Sequence, residues 1–125
     1  MFSHLLLYIG AALTAIWGIA HLFPTNSVVK GFGGITEENK RIITMEWILE
    51  GVSLLFIGVL VASATAINAS SVVSKTVYAL SATSLVSFAV VSLFTGFKVS
   101  FLPFKLCPFI FSISAILILL GGFAL

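Results

Sequence analysis

Four apolar stretches, residues 5–23, 42–64, 72–97 and 104–123, fill most of a chain of only 125 residues. Each is close to the roughly 20 residues that an α-helix, rising about 1.5 Å per residue, needs to cross a hydrocarbon layer about 30 Å thick. The backbone of such a segment must satisfy its own hydrogen bonds, which a helix does and an irregular chain does not. Composition agrees. With 60% hydrophobic residues, 8% charged residues and a mean hydropathy of +1.25, there are too few polar side chains to cover a water-facing surface, for which about 25% charged is ordinary. Three spans, with the Ser-rich third stretch placed elsewhere, is the rival count. Residues 80–94 hold no charge and continue smoothly into their flanks, which favours four. The expected fold is all-α: an integral membrane four-helix bundle of two antiparallel hairpins. It forms a single transmembrane domain with helices at about 3–23, 37–65, 72–97 and 104–124.

The few charges set the expected orientation. Lys30, Lys40 and Arg41 fall between the first two helices, and Lys98 and Lys105 between the last two, leaving only Lys75 on the other side. Basic loops are retained in the cytoplasm, so both termini are predicted outside. A formal charge of +2 without a Lys/Arg run gives no stripe for nucleic acid. The single cysteine, Cys107, excludes an internal disulfide. Residues 1–8 carry no Lys or Arg, and no small-x-small cleavage site follows, so the first stretch reads as a retained helix.

The longest connection, residues 24–41, opens on a helix-stopping Pro and runs through Gly31, Gly33 and Gly34. It matches no phosphate-binding fingerprint. Thr36 reads as an N-cap, with Glu37 and Glu38 in the first turn, where exposed amides favour negative charge. Residues 65–71 form a short polar turn containing the sequon Asn68-Ala69-Ser70. In the third helix Ser81, Thr83, Ser84, Ser87 and Ser92 are small hydroxylated residues suited to close helix packing, with a polar conduit as the alternative. Gly51 and Gly58, seven apart, read as close-contact positions. The aliphatic run 116–120 is expected to meet lipid on one side.

Two of the chain's four acidic residues, Glu46 and Glu50, stand one turn apart within the second apolar stretch. A carboxylate at the centre of a membrane helix costs about 2.5–3.5 kcal/mol on insertion scales, so such groups face a protein interior and mark a site. In the expected topology Trp17 and His21 end the first helix at the depth where Glu46, Trp47 and Glu50 begin the second and Lys105 and Cys107 begin the fourth. Four-residue spacing stacks Trp17 over His21 and Glu46 over Glu50. Counting depth brings His21 to Glu46, with Glu50 about 6 Å deeper. Plain structural readings stand beside this one. Glu46 would bond His21 or Lys105, Glu50 would bond hydroxyls of the third helix, and Trp17, Trp47, His21 and His4 would be interfacial. No metal is expected, because the Glu-x-x-His pairs of di-metal bundles are missing. A nucleophilic Cys107 has only Lys105 nearby to favour it.

Residues 18–24 (Gly-Ile-Ala-His-Leu-Phe-Pro), and residues 47–51 (Trp-Ile-Leu-Glu-Gly) with Gly58, resemble segments of the DoxX-like small four-helix membrane proteins. That resemblance covers roughly the first half of the chain. It implies a four-helix protein, sometimes a membrane subunit of a quinone-linked oxidoreductase, with His21 and Glu50 at the matching positions. The long Gly-rich loop and the additional Glu46 depart from the pattern.

These observations lead to an intramembrane pocket on the cytoplasmic side, binding a lipophilic small molecule of quinone or isoprenoid type as an accessory or binding subunit. Trp17, His21, Glu46, Trp47, Glu50 and Cys107 are its candidate residues; the sequence does not identify a cofactor. An alternative is a membrane enzyme of isomerase type, moving a proton on a lipophilic substrate with Glu50, Glu46 and His21 as catalytic groups. A proton or ion pathway and a structural or assembly protein are the remaining classes. Expected partners are the lipid bilayer, the small molecule, and either further copies of the chain or a larger membrane complex.

Overall fold

The computed structural model describes residues 1–123. The helices are α1 (Phe2–Leu22), α2 (Thr25–Gly31), α3 (Glu37–Asn68), α4 (Val72–Phe94) and α5 (Leu102–Phe123), with a 3-10 turn at Gly96–Lys98 between the last two. Among the described residues α1, α3, α4 with its 3-10 turn, and α5 are the four helices long and apolar enough to cross a membrane. The expected end of the last helix at 124 lies outside the described residues.

Two boundaries differ from expectation for local reasons. The connection after Pro24 contains the two-turn helix α2, which closes on Gly33 at φ +70, a left-handed conformation that glycine adopts without penalty. The helix expected through 97 ends as α4 at Phe94 and tightens into the 3-10 turn. Thr36 does cap α3: its Oγ1 accepts from Asn39 N at 3.2 Å, with Glu37 and Glu38 in the first turn. At 32 residues α3 is about 48 Å long. It outreaches a bilayer core, and its charged beginning stands beyond the apolar stretch.

Helix α1 packs against both α3 and α5, and α4 packs against α5. Glycines set the α1–α3 approach. A Cβ at Gly18 would lie 2.7 Å from Gly51 O, and one at Gly58 would lie 2.6 Å from Ala11 O. Contacts therefore run in opposite order along the two helices. On the other side of α1, a Cβ at Gly121 would lie 2.7 Å from Ser3 O. The core is filled by Leu7, Leu54, Val61, Tyr78, Leu85, Phe111 and Ile118, each nearly or wholly inaccessible. Large apolar side chains such as Ile16, Phe56, Val90 and Phe109 point outward. In the run 116–120, Ile118 is buried while Ile116 and Leu120 are exposed.

Helices α3 and α4 touch least among these neighbours, and unevenly. At one end Tyr78 Oη meets Thr65 Oγ1 at 3.0 Å, and Ser74 Oγ donates to Ala64 O at 3.2 Å. No such pin joins them at the other end, where a groove opens. The hydroxyls of Thr83, Ser84 and Ser87 bond the carbonyls four residues back on their own helix. They lower the polarity of the α4 surface.

Candidate functional site

The site begins with the end of α1. A helix leaves its last carbonyls without amide partners, and Pro24 stops α1 from continuing. Two of those carbonyls are met from elsewhere: Thr25 Oγ1 donates to Leu22 O at 2.7 Å, and Trp47 Nε1 donates to His21 O at 2.6 Å. The tryptophan thus ties α3 to the last turn of α1. Its ring also stacks on the His21 imidazole, with centroids 4.2 Å apart and planes at 21°. Phe104 of α5 meets Trp47 edge-on at 5.5 Å.

These contacts fix the His21 ring, which is only 7% exposed, with Nε2 3.3 Å from Glu50 Oε2. That separation is within charge-contact range, yet the direction is wrong for a hydrogen bond, and Nε2 has no hydrogen-bond partner. The Glu50 side chain is 39% exposed and retains freedom to turn. Glu50, not Glu46, is the acid beside His21. The glycine register explains the difference from depth counting. With Gly18 seated on Gly51, residue 21 falls between residues 47 and 51. Glu46 lies on the exposed side of α3 and borders the groove.

A groove of about 630 Å³ opens over this pair. One wall is α3, with Glu46, Trp47, Glu50 and Ser53; the other is the end of α4, with Phe88, Ser92 and Thr95. His21, Phe32, Phe104 and Cys107 also line it. A few polar groups line an otherwise apolar cleft, the usual composition of a small-molecule site.

Trp17 does not reach the groove. It lines a separate chamber of about 290 Å³ on the other side of His21, whose walls also include Trp47, Phe104 and Cys107. Cys107 is buried and borders both cavities, its Sγ donating to Pro103 O at 3.5 Å. Lys105 sits over the Phe97 ring at 6.0 Å, not on Glu46. Among the described residues no three His, Cys, Asp or Glu side chains are grouped to hold a metal.

Phe32, Phe88, Ser92, Thr95 and Phe104 are lining residues that sequence reasoning missed. Phe104 had one available signal. Pro108 offers no N–H to the carbonyl one turn earlier, marking the start of α5 as a place where helix bonding is interrupted. Comparison with protein-family models, with curated proteins and with solved structures gives no match for this chain.

Proposed function

We propose that this chain is a multi-pass membrane protein whose four long helices form two hairpins, with both termini outside and the basic loops in the cytoplasm. In this reading the groove between α3 and α4 binds a lipophilic small molecule with a polar head, of quinone or isoprenoid type. The protein acts as an accessory or binding subunit. The observation that carries it is the buried His21 Nε2, unpartnered and 3.3 Å from Glu50, at a groove of about 630 Å³. Burying an unpaired polar group is unfavourable. A ligand oxygen entering the groove would take the Nε2–H, while Glu50 turns to accept from a ligand hydroxyl. The apolar remainder of the cleft suits a hydrocarbon tail arriving from the lipid side. The DoxX-like resemblance at His21 and Glu50 favours the same pair.

The test is a titration of decylubiquinone and of geranylgeraniol into the purified protein in nanodiscs, followed by tryptophan fluorescence. Trp47 stands in the groove wall and reports occupancy. Saturable binding of one of them is expected, weakened about tenfold or more by His21→Ala and by Glu50→Gln. Binding unchanged in both variants refutes the reading.

Acid–base catalysis is favoured by one feature, the pairing of an imidazole with a carboxylate in a cleft open to lipophiles. An enzyme of this kind would wash deuterium from D2O into a bound alkene, and Glu50→Gln would abolish the exchange. Exchange that persists in the variant removes Glu50 from any such role.

A further inference from the structure

The chamber behind His21 is built differently from the groove. Its walls include Trp17, Ala20, Trp47 and Phe104, with His21 and Cys107 as the other polar side chains. Trp17 Nε1 is buried there with no hydrogen-bond partner among the described residues. The nearest acceptors serve it poorly: His21 O already receives Trp47 Nε1 at 2.6 Å, and the Cys107 sulfur, which gives its own proton to Pro103 O, is a weak acceptor. Buried polar groups are nearly always paired, so an orphan donor points to something absent from the protein itself.

Three features narrow what that is. A water needs two to four polar partners. Beyond Trp17 the chamber is mostly aromatic, proline and alanine, and His21 Nε2 lies 3.3 Å from Glu50, a residue of the groove and not of the chamber. No Lys or Arg lines the space, which disfavours a carboxylate or a phosphate. Phe104 lies edge-on to Trp47 at 5.5 Å and to Phe101 at 6.0 Å, a setting that holds a flat ring by stacking and edge contacts. Pro24, Phe101 and Phe104 are also walls of an apolar groove of about 480 Å³ beneath α2, which gives the ring an apolar approach.

We propose that this chamber is a second ligand site, separate from the α3–α4 groove. It takes a small neutral ring bearing a carbonyl-type oxygen, which accepts a hydrogen bond from Trp17 Nε1. The site does not depend on Glu50, which lines the groove and not the chamber.

Trp17 and Trp47 are the chain's two tryptophans, so the ¹⁵N-indole-labelled protein in micelles gives two indole N–H signals. The probes are 1-tetralone and tetralin, which share a ring skeleton and differ by the carbonyl. The expected result is a saturable downfield shift of the Trp17 signal with 1-tetralone and no downfield shift with tetralin, while the Trp47 signal, from a wall of the same chamber, responds alike to both. Trp17→Phe removes the donor and keeps the ring. It identifies the signal and should weaken 1-tetralone about two- to tenfold while leaving tetralin unchanged. Equal responses of the Trp17 signal to the two compounds overturn the proposal, as does a Trp17 N–H whose cross-peak to water survives saturating 1-tetralone. Both are read on the unmodified chain, so poor folding of the variant does not rescue it. Glu50→Gln should leave the 1-tetralone response intact. Loss of the response in that variant places the ring in the groove, refuting the chamber while leaving the groove reading standing.

Discussion

Replacing Gly18 by alanine tests the structural basis of the site without touching a polar group. The added Cβ would lie 2.7 Å from Gly51 O, 2.7 Å from Leu55 N and 2.9 Å from Leu54 Cβ. Two of these are backbone atoms of a packed helix and cannot swing aside. Opening 2.7 Å to the 3.4 Å of ordinary contact requires α1 and α3 to part by about 0.7 Å. Applied as a rigid shift, that carries the 2.6 Å bond from Trp47 Nε1 to His21 O to roughly 3.3 Å, beyond good N–H···O geometry. The same shift carries His21 Nε2 from 3.3 Å to roughly 4.0 Å from Glu50 Oε2, the edge of charge contact. Overpacking of this kind costs about 1–3 kcal/mol. Gly31→Ala is the control, since a Cβ there meets nothing within 4 Å. The measurements are the Tm in detergent and the Trp47 indole N–H chemical shift. Gly18→Ala should lower the first and move the second upfield, with Gly31→Ala doing neither. A Gly18→Ala protein that keeps both values would show that glycine contact does not set the α1–α3 register.

Other outcomes follow from individual contacts. Thr65→Val should destabilise more than Tyr78→Phe, because Thr65 Oγ1 keeps Val61 O as a partner when the phenol is removed, whereas the buried Tyr78 hydroxyl loses its partner at 3.0 Å. Losses of about 1–3 and 0.5–1.5 kcal/mol are expected in thermal melts; the reverse order would contradict the geometry. Thr36→Ala removes the cap on Asn39 N and should cost about 1 kcal/mol. Faster amide exchange confined to the first turn of α3 is the sign to look for. Cys107, 4% exposed, should react slowly with a maleimide in the folded protein and faster in Phe104→Ala, which opens both cavities it borders. Equal rates would mean that the Phe104 ring does not shield the thiol.

Hydropathy alone made the four long helices legible, because a spanning helix announces itself by length and by the absence of charge. Thr36 was legible for an equally local reason: a hydroxyl ahead of two glutamates is a helix start wherever it occurs. Helix α2 was not. Its sequence, Thr25–Gly31, is too short for periodicity to stand out between Pro24 and the glycines, and it packs against α3. The end of α4 was missed because Thr95 and Gly96 break a helix only mildly. Phe88 and Thr95 entered no expected site and Ser92 was read only as a hydroxyl of the third helix, although all three form a groove wall.

The pairing of His21 with Glu50 shows most clearly where depth counting and contact chemistry part. Measuring inward from the ends of apolar stretches treats two helices as rulers laid against a common membrane plane. Helix α3, however, starts several residues before its apolar stretch and runs on to Asn68, so its ruler has no fixed zero. What sets the register is the set of positions where backbones can touch. Gly18 on Gly51, and Ala11 and Ala15 on Gly58, leave α1 and α3 little freedom to slide. Trp47 then reaches the free carbonyl of His21 and stacks on its ring, and Glu50 falls beside Nε2. Glu46, one turn earlier, lies beyond the end of α1 and faces outward. The glycines are thus the first cause of the site's geometry: without the close approach they permit, the histidine and the glutamate would share a depth but not a contact.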